Sequence, residues 1–168
     1  MTHFLLESES FSKVLQTLKN KSVLVLGHRR PDGDCIGSQV ALTRVLNQEG
    51  VLAQAVNADP VPRTLQKFLG DTPLLKPDEV TEDDYLIITV DCADHKRVGM
   101  DLIDRFPEVF LNVDHHVSNT GFAENNFVLS EASATGEILA KFFFDSGYLV
   151  NKTTADALYL GICTDTGQ

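Results

Sequence analysis

The chain has 168 residues, the size of one ordinary domain, and is long enough to bury an apolar core without disulfide or metal staples. Hydrophobic residues make up 43% of it and charged residues 23%, with a mean hydropathy of −0.05, which excludes a disordered or fibrous protein. The formal net charge is −10, from 14 Lys and Arg against 24 Asp and Glu, so the chain lacks the basic surface that a protein coating duplex DNA needs.

Strands and helices alternate in the first half of the chain. One apolar run is typical of a strand buried on both faces, and a later segment carries apolar side chains four positions apart, as a packed helix does. The elements predicted here are a helix at Phe11–Lys19, a strand at Val23–Leu26, a helix at 36–49, a strand at Val51–Val56, and a proline-rich loop at 57–83 with at most one short helix around Leu65–Leu69.

The second half continues this alternation. Its predicted elements are a strand at Tyr85–Val90, a helix at Met100–Arg105, a strand at Val109–Val113, a short strand at Phe127–Leu129, a helix from Ser133 to Gly147, and a last helix that begins at a capping box of Thr153 and Asp156. Strand–helix alternation of this kind predicts an α/β fold with a doubly wound, mainly parallel sheet flanked by helices.

Three of the predicted strands end in side chains that can bind metal ions. The first leads into the run from His28 to Asp34, the third directly into Asp91, and the fourth into Asp114-His115-His116. Another acid, Asp165, lies at the end of the last predicted helix. Because ligands bind at the carboxyl ends of strands in open α/β sheets, these side chains are expected to lie close together. Taken singly, an Asp after a strand is equally typical of a helix N-cap, and a lone His of a hydrogen-bonded residue.

These residue types favour a centre of two divalent cations. Asp and His without Cys suit hard or borderline ions such as Mn²⁺, Mg²⁺, Fe²⁺ or Co²⁺. Four Asp and two His around two such ions give a nearly neutral cluster. Two metals roughly 3.5–4 Å apart can hold a hydroxide and clamp a phosphoryl group for in-line attack. An acidic chain that binds phosphate needs such a source of positive charge.

The cysteine count and the apolar runs indicate the compartment. Three cysteines without a CxxC pair argue against a disulfide framework or a thiolate zinc site, and they fit a reducing environment. No basic segment followed by a long apolar one begins the chain, and no apolar run approaches the length that spans a bilayer. A cytoplasmic protein without a membrane partner is therefore expected.

Four motifs follow one another along the chain: HRRPDGDCIGS at 28–38, VDCAD at 90–94, NVDHHVSN at 112–119 and GICTDTG at 161–167. Together they resemble the motifs of the DHH phosphoesterase superfamily. The first motif and the segment ASATGE at 132–137 are most similar to the branch of bifunctional oligoribonucleases and pAp phosphatases. Members of that branch trim oligonucleotides of a few residues and remove the 3′-phosphate of adenosine 3′,5′-bisphosphate (pAp).

The resemblance implies a role for each motif residue. It implies two divalent metal ions, with Mn²⁺ expected and Mg²⁺, Co²⁺ or Fe²⁺ as alternatives. Asp114 and His116 would be catalytic, Asp114 by holding a histidine in place and His116 by facing the substrate phosphate with a hydrogen bond or a proton. The implied ligands are His28 and Asp32 on one ion, Asp34, His115 and Asp165 on the other, and Asp91 on both.

Other polar residues near these positions are candidate substrate contacts. Arg29, Arg30 and Arg97 are expected to contact substrate phosphate, with a solvated loop as the equal alternative. Hydroxyl and amide side chains are expected to line the phosphate site, with helix capping as the equal alternative; these are Ser118, Asn119, Ser133 and Thr135.

The expected activity is that of a di-metal phosphohydrolase that cleaves short oligonucleotides or pAp by metal-activated water. Two alternatives stay open: hydrolysis of cyclic or linear dinucleotides such as pApA, and a metal-binding module without catalysis. Members of the branch continue into a smaller substrate domain with a GGGH-type motif. Because this chain ends at Gln168, residues 1–168 are expected to be the metal-binding domain of a truncated form, without that C-terminal domain. The expected partner is a small nucleotide or short oligonucleotide, and a homodimer is left open.

Overall fold

The computed structural model describes residues 4–81 and 84–167. Strands in these residues are β1 (Ser22–Leu26), β2 (Leu52–Val56), β3 (Leu74–Leu75), β4 (Leu86–Val90), β5 (Leu111–Asp114) and β6 (Asn125–Val128). They form one sheet in the order β3-β2-β1-β4-β5-β6, and every described pair of neighbours is parallel. The strand order reverses between β1 and β4, so the predicted doubly wound, parallel α/β fold is confirmed.

Helices connect and cover the strands. The described helices are α1 (Leu5–Gln16), α2 (Gly33–Gln48), α3 (Met100–Arg105), α4 (Thr135–Ser146) and α5 (Lys152–Asp165), with short 3₁₀ turns at Gln66–Phe68, Pro77–Glu79 and His95–Val98. Within the same residues, no helix is both long enough and apolar enough to cross a bilayer.

The two faces of the sheet are covered unequally. Val23 and Val25 of β1 face a large apolar cluster to which α1, α2, α4 and α5 all contribute. Leu24 and Leu26 face a smaller cluster that contains Leu102 of α3 and its neighbouring loops. Alternate residues of β1 are therefore buried on opposite faces, which is why its sequence is a continuous apolar run.

Glycines allow α2 and α5 to pack very closely. A Cβ on Gly37 would lie 2.2 Å from the carbonyl oxygen of Ala157, and one on Gly161 would lie 2.5 Å from Oδ1 of Asp34. Neither position has room for a side chain. This contact places Asp34, near the start of α2, beside α5, the helix that ends at Asp165.

Differences from the predicted elements lie mainly at their ends. Helix α1 begins at Leu5 rather than Phe11. The sequence pattern predicts a later start because Leu5 and Leu6 are exposed apolar residues and break the amphipathic pattern. Strand β3 lies in the segment predicted as loop; its two residues become a strand only by pairing with β2. The predicted capping box of α5 is wrong. Asn151 caps this helix by accepting from the backbone N–H of Thr154, and Asp156 pairs with a lysine instead.

Candidate metal centre

The predicted ligands meet where the strand order reverses. From β1 the chain continues to β2 on one side, and from β4 it continues to β5 on the other, which opens a crevice at the carboxyl ends. His28 follows β1, and Asp91 follows β4. The triplet 114–116 begins at the last residue of β5. Seven side chains that could hold a metal ion meet at this edge. Six are the predicted ligands His28, Asp32, Asp34, Asp91, His115 and Asp165, and the seventh is His116, which lies beside Asp91 and His115.

The first set of donors, here called the His28 group, consists of His28 and Asp32, and Asp91 lies within reach of both. Nδ1 of His28 donates a hydrogen bond to the carbonyl oxygen of Arg29 at 2.8 Å, so Nε2 is the ring nitrogen that a metal ion could bind. Nε2 is buried, 3.6 Å from Oδ2 of Asp32 and 3.4 Å from Oδ2 of Asp91, and it makes no hydrogen bond to any described residue. Metal-binding histidines are commonly oriented in this way, through the other ring nitrogen.

The second set, the Asp34 group, consists of Asp34, His115 and Asp165. Nε2 of His115 lies 3.1 Å from Oδ2 of Asp165 and 4.0 Å from Oδ2 of Asp34. Asp34 is fully buried, and its oxygens accept backbone hydrogen bonds at the start of α4. Oδ2 accepts from the N–H of Thr135 at 2.7 Å, and Oδ1 accepts from the N–H of Gly136 at 2.8 Å. Oδ1 also accepts from the hydroxyl of Ser38 at 3.3 Å. A carboxylate oxygen has two lone pairs, so Oδ2 still has one for a cation.

Asp91 lies between the two groups. Its Oδ2 faces Nε2 of His28, while its Oδ1 lies 3.7 Å from Nε2 of His115. The hydroxyl of Thr135 donates to the same Oδ1 at 3.1 Å. The backbone of Asp91 is left-handed, with φ of 57°, a conformation that costs energy for a residue with a side chain and clusters at functional sites.

Crowding perturbs the acid–base equilibria of these side chains. Burial, and then the Asp91 carboxylate, raise the pKa of Asp34 to about 8, although its backbone N–H donors oppose the shift. Burial and Asp91 also raise the pKa of Asp165. Burial alone would lower the pKa of His28, but the nearby carboxylates of Asp32 and Asp91 raise it well above its usual range. Burial opposes ionisation of Asp32, yet contact with His28 lowers its pKa to about 2.

These residues fit divalent metal ions. Carboxylate oxygens and imidazole nitrogens are the donors that hard and borderline ions prefer. Burial raises the pKa of the neighbouring Cys35 thiol to about 11, so no thiolate competes. The Nε2 atoms of His28 and His115 are buried and have no hydrogen-bond partner among the described residues. Such an atom costs about 1–3 kcal/mol, which a metal–nitrogen bond would offset.

A family model decides the relationship that the motifs indicate. The model of the N-terminal domain of the DHH family matches residues 22–162. The chain belongs to the DHH family. Asp114-His115-His116 is its DHH triplet, and the match contains every predicted ligand except Asp165, which lies just beyond it.

Relatives of this DHH chain include two curated proteins and one solved structure. The bifunctional oligoribonuclease and PAP phosphatase of Bacillus subtilis is 27% identical over 163 residues, 94% of this chain and 50% of that protein. The probable manganese-dependent inorganic pyrophosphatase of Streptococcus mutans is 30% identical over 152 residues, 86% of this chain and 48% of that protein. The crystal structure of an exopolyphosphatase-related protein from Bacteroides fragilis matches with a TM-score of 0.83 and 26% identity, covering 96% of this chain and 50% of that one. The chain thus spans about half the length of the relatives it matches.

The two histidines of the DHH triplet differ in their contacts: His115 belongs to the Asp34 group, whereas His116 is held by Asp114. Oδ1 of Asp114 accepts a hydrogen bond from Nδ1 of His116 at 2.7 Å, and Oδ2 accepts one from the amide of Asn119 at 2.6 Å. Because Nδ1 of His116 carries the hydrogen, that nitrogen is not free to bind a metal, although it lies 3.6 Å from Oδ1 of Asp91. Its Nε2 is left as an acceptor, 3.5 Å from Nη1 of Arg97.

The predicted substrate contacts lie on the rim of the DHH site. They differ in their exposure and in the contacts that they already make within the chain. Arg29 is 61% exposed, and its Nε lies 3.4 Å from Oδ2 of Asp59. Arg30 is exposed, and its backbone N–H donates to the same oxygen at 2.8 Å. Ser118 is exposed. The amide of Asn119 is engaged within the chain, by Asp114 and by the carbonyl oxygen of Cys92 at 3.1 Å, so its contacts position Asp114.

Parts of the site were not assigned from the sequence. The sequence predicts that Thr135 lines a phosphate site or caps a helix; in the structure its hydroxyl donates to Asp91 and its backbone N–H donates to Asp34. The sequence assigns no contact to the N–H of Gly136, which donates to Asp34. A glycine at a helix start allows close approach of the backbone to another group, but the sequence does not say to which group. No pattern in the sequence around Asp91 predicts its left-handed backbone.

Proposed function

We propose that this chain is the metal-binding domain of a di-metal phosphohydrolase that acts on short oligonucleotides and on pAp. The position of Asp91 carries the proposal. One of its oxygens lies 3.4 Å from Nε2 of His28, and the other lies 3.7 Å from Nε2 of His115. A carboxylate with one oxygen toward each donor group is what two neighbouring metal ions require.

Six side chains would hold the two ions. His28 and Asp32 would bind one, Asp34, His115 and Asp165 the other, and Asp91 both. Their four carboxylates balance the four positive charges of two divalent ions. Mn²⁺ is the proposed metal because oxygen and imidazole donors suit it, and because one relative is named as manganese-dependent.

Divalent ions bound here supply the positive charge that polarises a phosphoryl group and acidifies an attacking water. The chain itself supplies orientation. Asp114 holds the His116 ring, so Nε2 faces outward beside Arg97. This nitrogen would hydrogen-bond a phosphate oxygen or exchange a proton with it.

Basic side chains around the ligands would contact the substrate phosphates. The backbone N–H of Arg29 donates to the carbonyl oxygen of Arg97 at 2.7 Å, which joins the loops after β1 and β4 on one rim. Arg29, Arg30 and Arg97 would contact phosphate from this rim, and the exposed Ser118 hydroxyl would add a hydrogen bond. Asn119 would act through Asp114.

The substrate class rests on the relatives and on charge. The Bacillus subtilis relative is named as an oligoribonuclease and PAP phosphatase, and the first motif favours the same branch. The net charge of −10 disfavours binding of long duplexes, whose affinity depends on basic surface. Small nucleotides need only a local cluster of positive charge, which the metal centre and three arginines would provide.

The experiment is a Mn²⁺-dependent hydrolysis assay of this chain on pAp, pApA, a longer oligoribonucleotide, pyrophosphate and bis-p-nitrophenyl phosphate. We expect hydrolysis of bis-p-nitrophenyl phosphate that EDTA abolishes, and turnover of pAp or pApA above that of pyrophosphate. Asp34→Asn should remove this activity, whereas Asp156→Asn, which changes an exposed carboxylate paired with Lys152, should retain it. Metal binding without hydrolysis of any phosphoester would identify a non-catalytic module. A preference for pyrophosphate would contradict the substrate class.

A further inference from the structure

A cavity of about 300 Å³ lies at the carboxyl ends of β2 and β3, on the same edge of the sheet as the candidate metal centre. Asn57, which follows β2, and Lys76, which follows β3, both line it. Its volume is at the lower end of the range for small-molecule pockets. Strand β2 is the direct neighbour of β1, the strand that leads into His28.

Hydrogen bonds join the wall of this cavity to the loop that follows β1. The backbone N–H of Gly27 donates to Oδ1 of Asn57 at 3.2 Å, and the N–H of Arg30 donates to Oδ2 of Asp59 at 2.8 Å. Asp59 also pairs with the Arg29 side chain. The cavity and the candidate metal centre are therefore both connected to one loop, which also carries Arg29 and Arg30.

The lining combines aliphatic walls with a few hydrogen-bonding groups. Leu69 and Leu75 contribute apolar surface, while Gln66 and Lys76 contribute polar groups. Asn57 is 2% exposed, and its Nδ2 has no hydrogen-bond partner among the described residues. A buried amide donor is costly to leave unpaired. Apolar walls with a few placed donors and acceptors suit a flat heterocycle with polar edges, which is the chemistry of a nucleobase.

The topology also points to a nucleoside. In dinucleotide-binding sheets with this strand order, phosphate binds after the first strand, and an acidic side chain further along the chain holds the ribose. Here the candidate phosphate-binding edge follows β1 and β4, and Asp59 lies just after β2. The cavity therefore lies on the side to which a nucleoside would extend.

We propose that this cavity binds the nucleoside part of the substrate while its phosphate lies at the metal centre. The proposal rests on the proposed function and deepens it, because it assigns the group that distinguishes a nucleotide from a bare phosphate. A substrate without a base, such as pyrophosphate, gains nothing from the cavity.

The first test is binding of adenosine, which carries no phosphate and needs no metal. We expect amide resonances of Asn57, Asp59, Gln66 and Leu69 to shift on titration, with a Kd of about 1 mM, the weak end of the affinity scale. Ribose alone and inorganic phosphate should not shift them. If adenosine leaves these resonances unchanged, or shifts only others, the proposal is overturned.

The second test fills the cavity. Val61→Trp should abolish the adenosine shifts and raise the KM for pAp about tenfold, one decade in binding, while Mn²⁺ binding stays unchanged. Leu52→Trp is the matched control, since Leu52 is exposed and lies outside the lining. Gln66→Ala is a less disruptive test variant, and Gln48→Ala is its control at another exposed glutamine. Equal effects of a test variant and its control would contradict the proposal.

The two proposals fail in different ways. Mn²⁺-dependent hydrolysis of phosphoesters without adenosine binding would overturn the nucleoside cavity and leave the proposed function standing. Adenosine binding at Asn57 and Gln66 without hydrolysis of any phosphoester would support the cavity and overturn the proposed function.

Discussion

The His28 group and the Asp34 group lie on either side of Asp91, yet the fold holds them in different ways. Within the His28 group, His28 and Asp32 come from one loop, four residues apart, and the Asp32 side chain is 57% exposed. The Asp34 group joins α2, β5 and α5, and Asp34 is fully buried under the N–H groups of α4. Local sequence thus builds one half of the centre, and helix packing builds the other. We therefore expect the Asp34 group to bind its ion more tightly and the His28 group to exchange its ion more readily.

The largest expected effect is at the carboxylate that both groups share. Asp91→Asn keeps the side-chain volume but removes the charge between them, so at least one ion should be lost and hydrolysis should fall by more than about 100-fold, the upper end of what losing a supporting partner costs. Elemental analysis and an activity assay measure both. Asp94→Asn, three residues away at the start of a 3₁₀ turn, is the control. Two full equivalents of metal with near-normal turnover would reject a shared role.

A direct comparison of the two groups comes from Asp34→Asn and Asp32→Asn. In Asp34→Asn the new amide N–H₂ would face a backbone donor of α4, so both the hydrogen bonding and the metal affinity should suffer. Asp32→Asn should weaken Mn²⁺ binding less, because this exposed side chain can adjust. A bound ion at 100 times its Kd stabilises the folded state by about 2.7 kcal/mol. The Mn²⁺-induced rise in melting midpoint, reversed by EDTA, should therefore shrink more in Asp34→Asn. An equal reduction of this rise in both variants would contradict the expected difference in affinity between the two groups.

The packing that supports the Asp34 group can be altered without changing any ligand. Gly161→Ala would place a Cβ 2.5 Å from Oδ1 of Asp34, which should cost about 1–3 kcal/mol of unfolding free energy and weaken one metal site. Tyr159→Ala, at an exposed position of the same helix, is the control. Denaturant unfolding and Mn²⁺ titration measure the two effects. Unchanged Mn²⁺ affinity would show that Asp34 does not depend on this close contact.

The smallest effect is expected outside both groups, at the support of His116. Asn119→Ala removes the amide that donates to Asp114, so His116 should lose orientation and kcat should fall about tenfold while the metal content stays at wild-type level. Thr120→Ala, at the exposed neighbouring residue, serves as the control. A fall in metal content with kcat per bound metal unchanged would place Asn119 in the metal site instead.

The sequence predicted the fold class and most elements because each leaves a local pattern. The apolar runs of β1 and β4 and the spacing of α2 are such patterns, and the structure confirms them. β3 leaves none, because its two residues become a strand only through pairing with β2. The sequence does not distinguish the N-cap of α5, because Asn151 and the Thr153–Asp156 pair are both acceptable caps; in the structure Asn151 accepts from the N–H of Thr154, and Asp156 pairs with Lys152.

For the site, the sequence by itself determined which donors exist and which edge of the sheet they reach, because strand ends and residue types are local properties. Their roles as ligands stay predictions. Only the tertiary structure decided that Asp34 accepts from Thr135 and Gly136, about a hundred residues away, and that Asp91 faces both donor groups. Tertiary structure alone also formed the cavity beside Asn57. Contacts between distant segments depend on how helices pack on the sheet, and no periodicity along the chain records that packing.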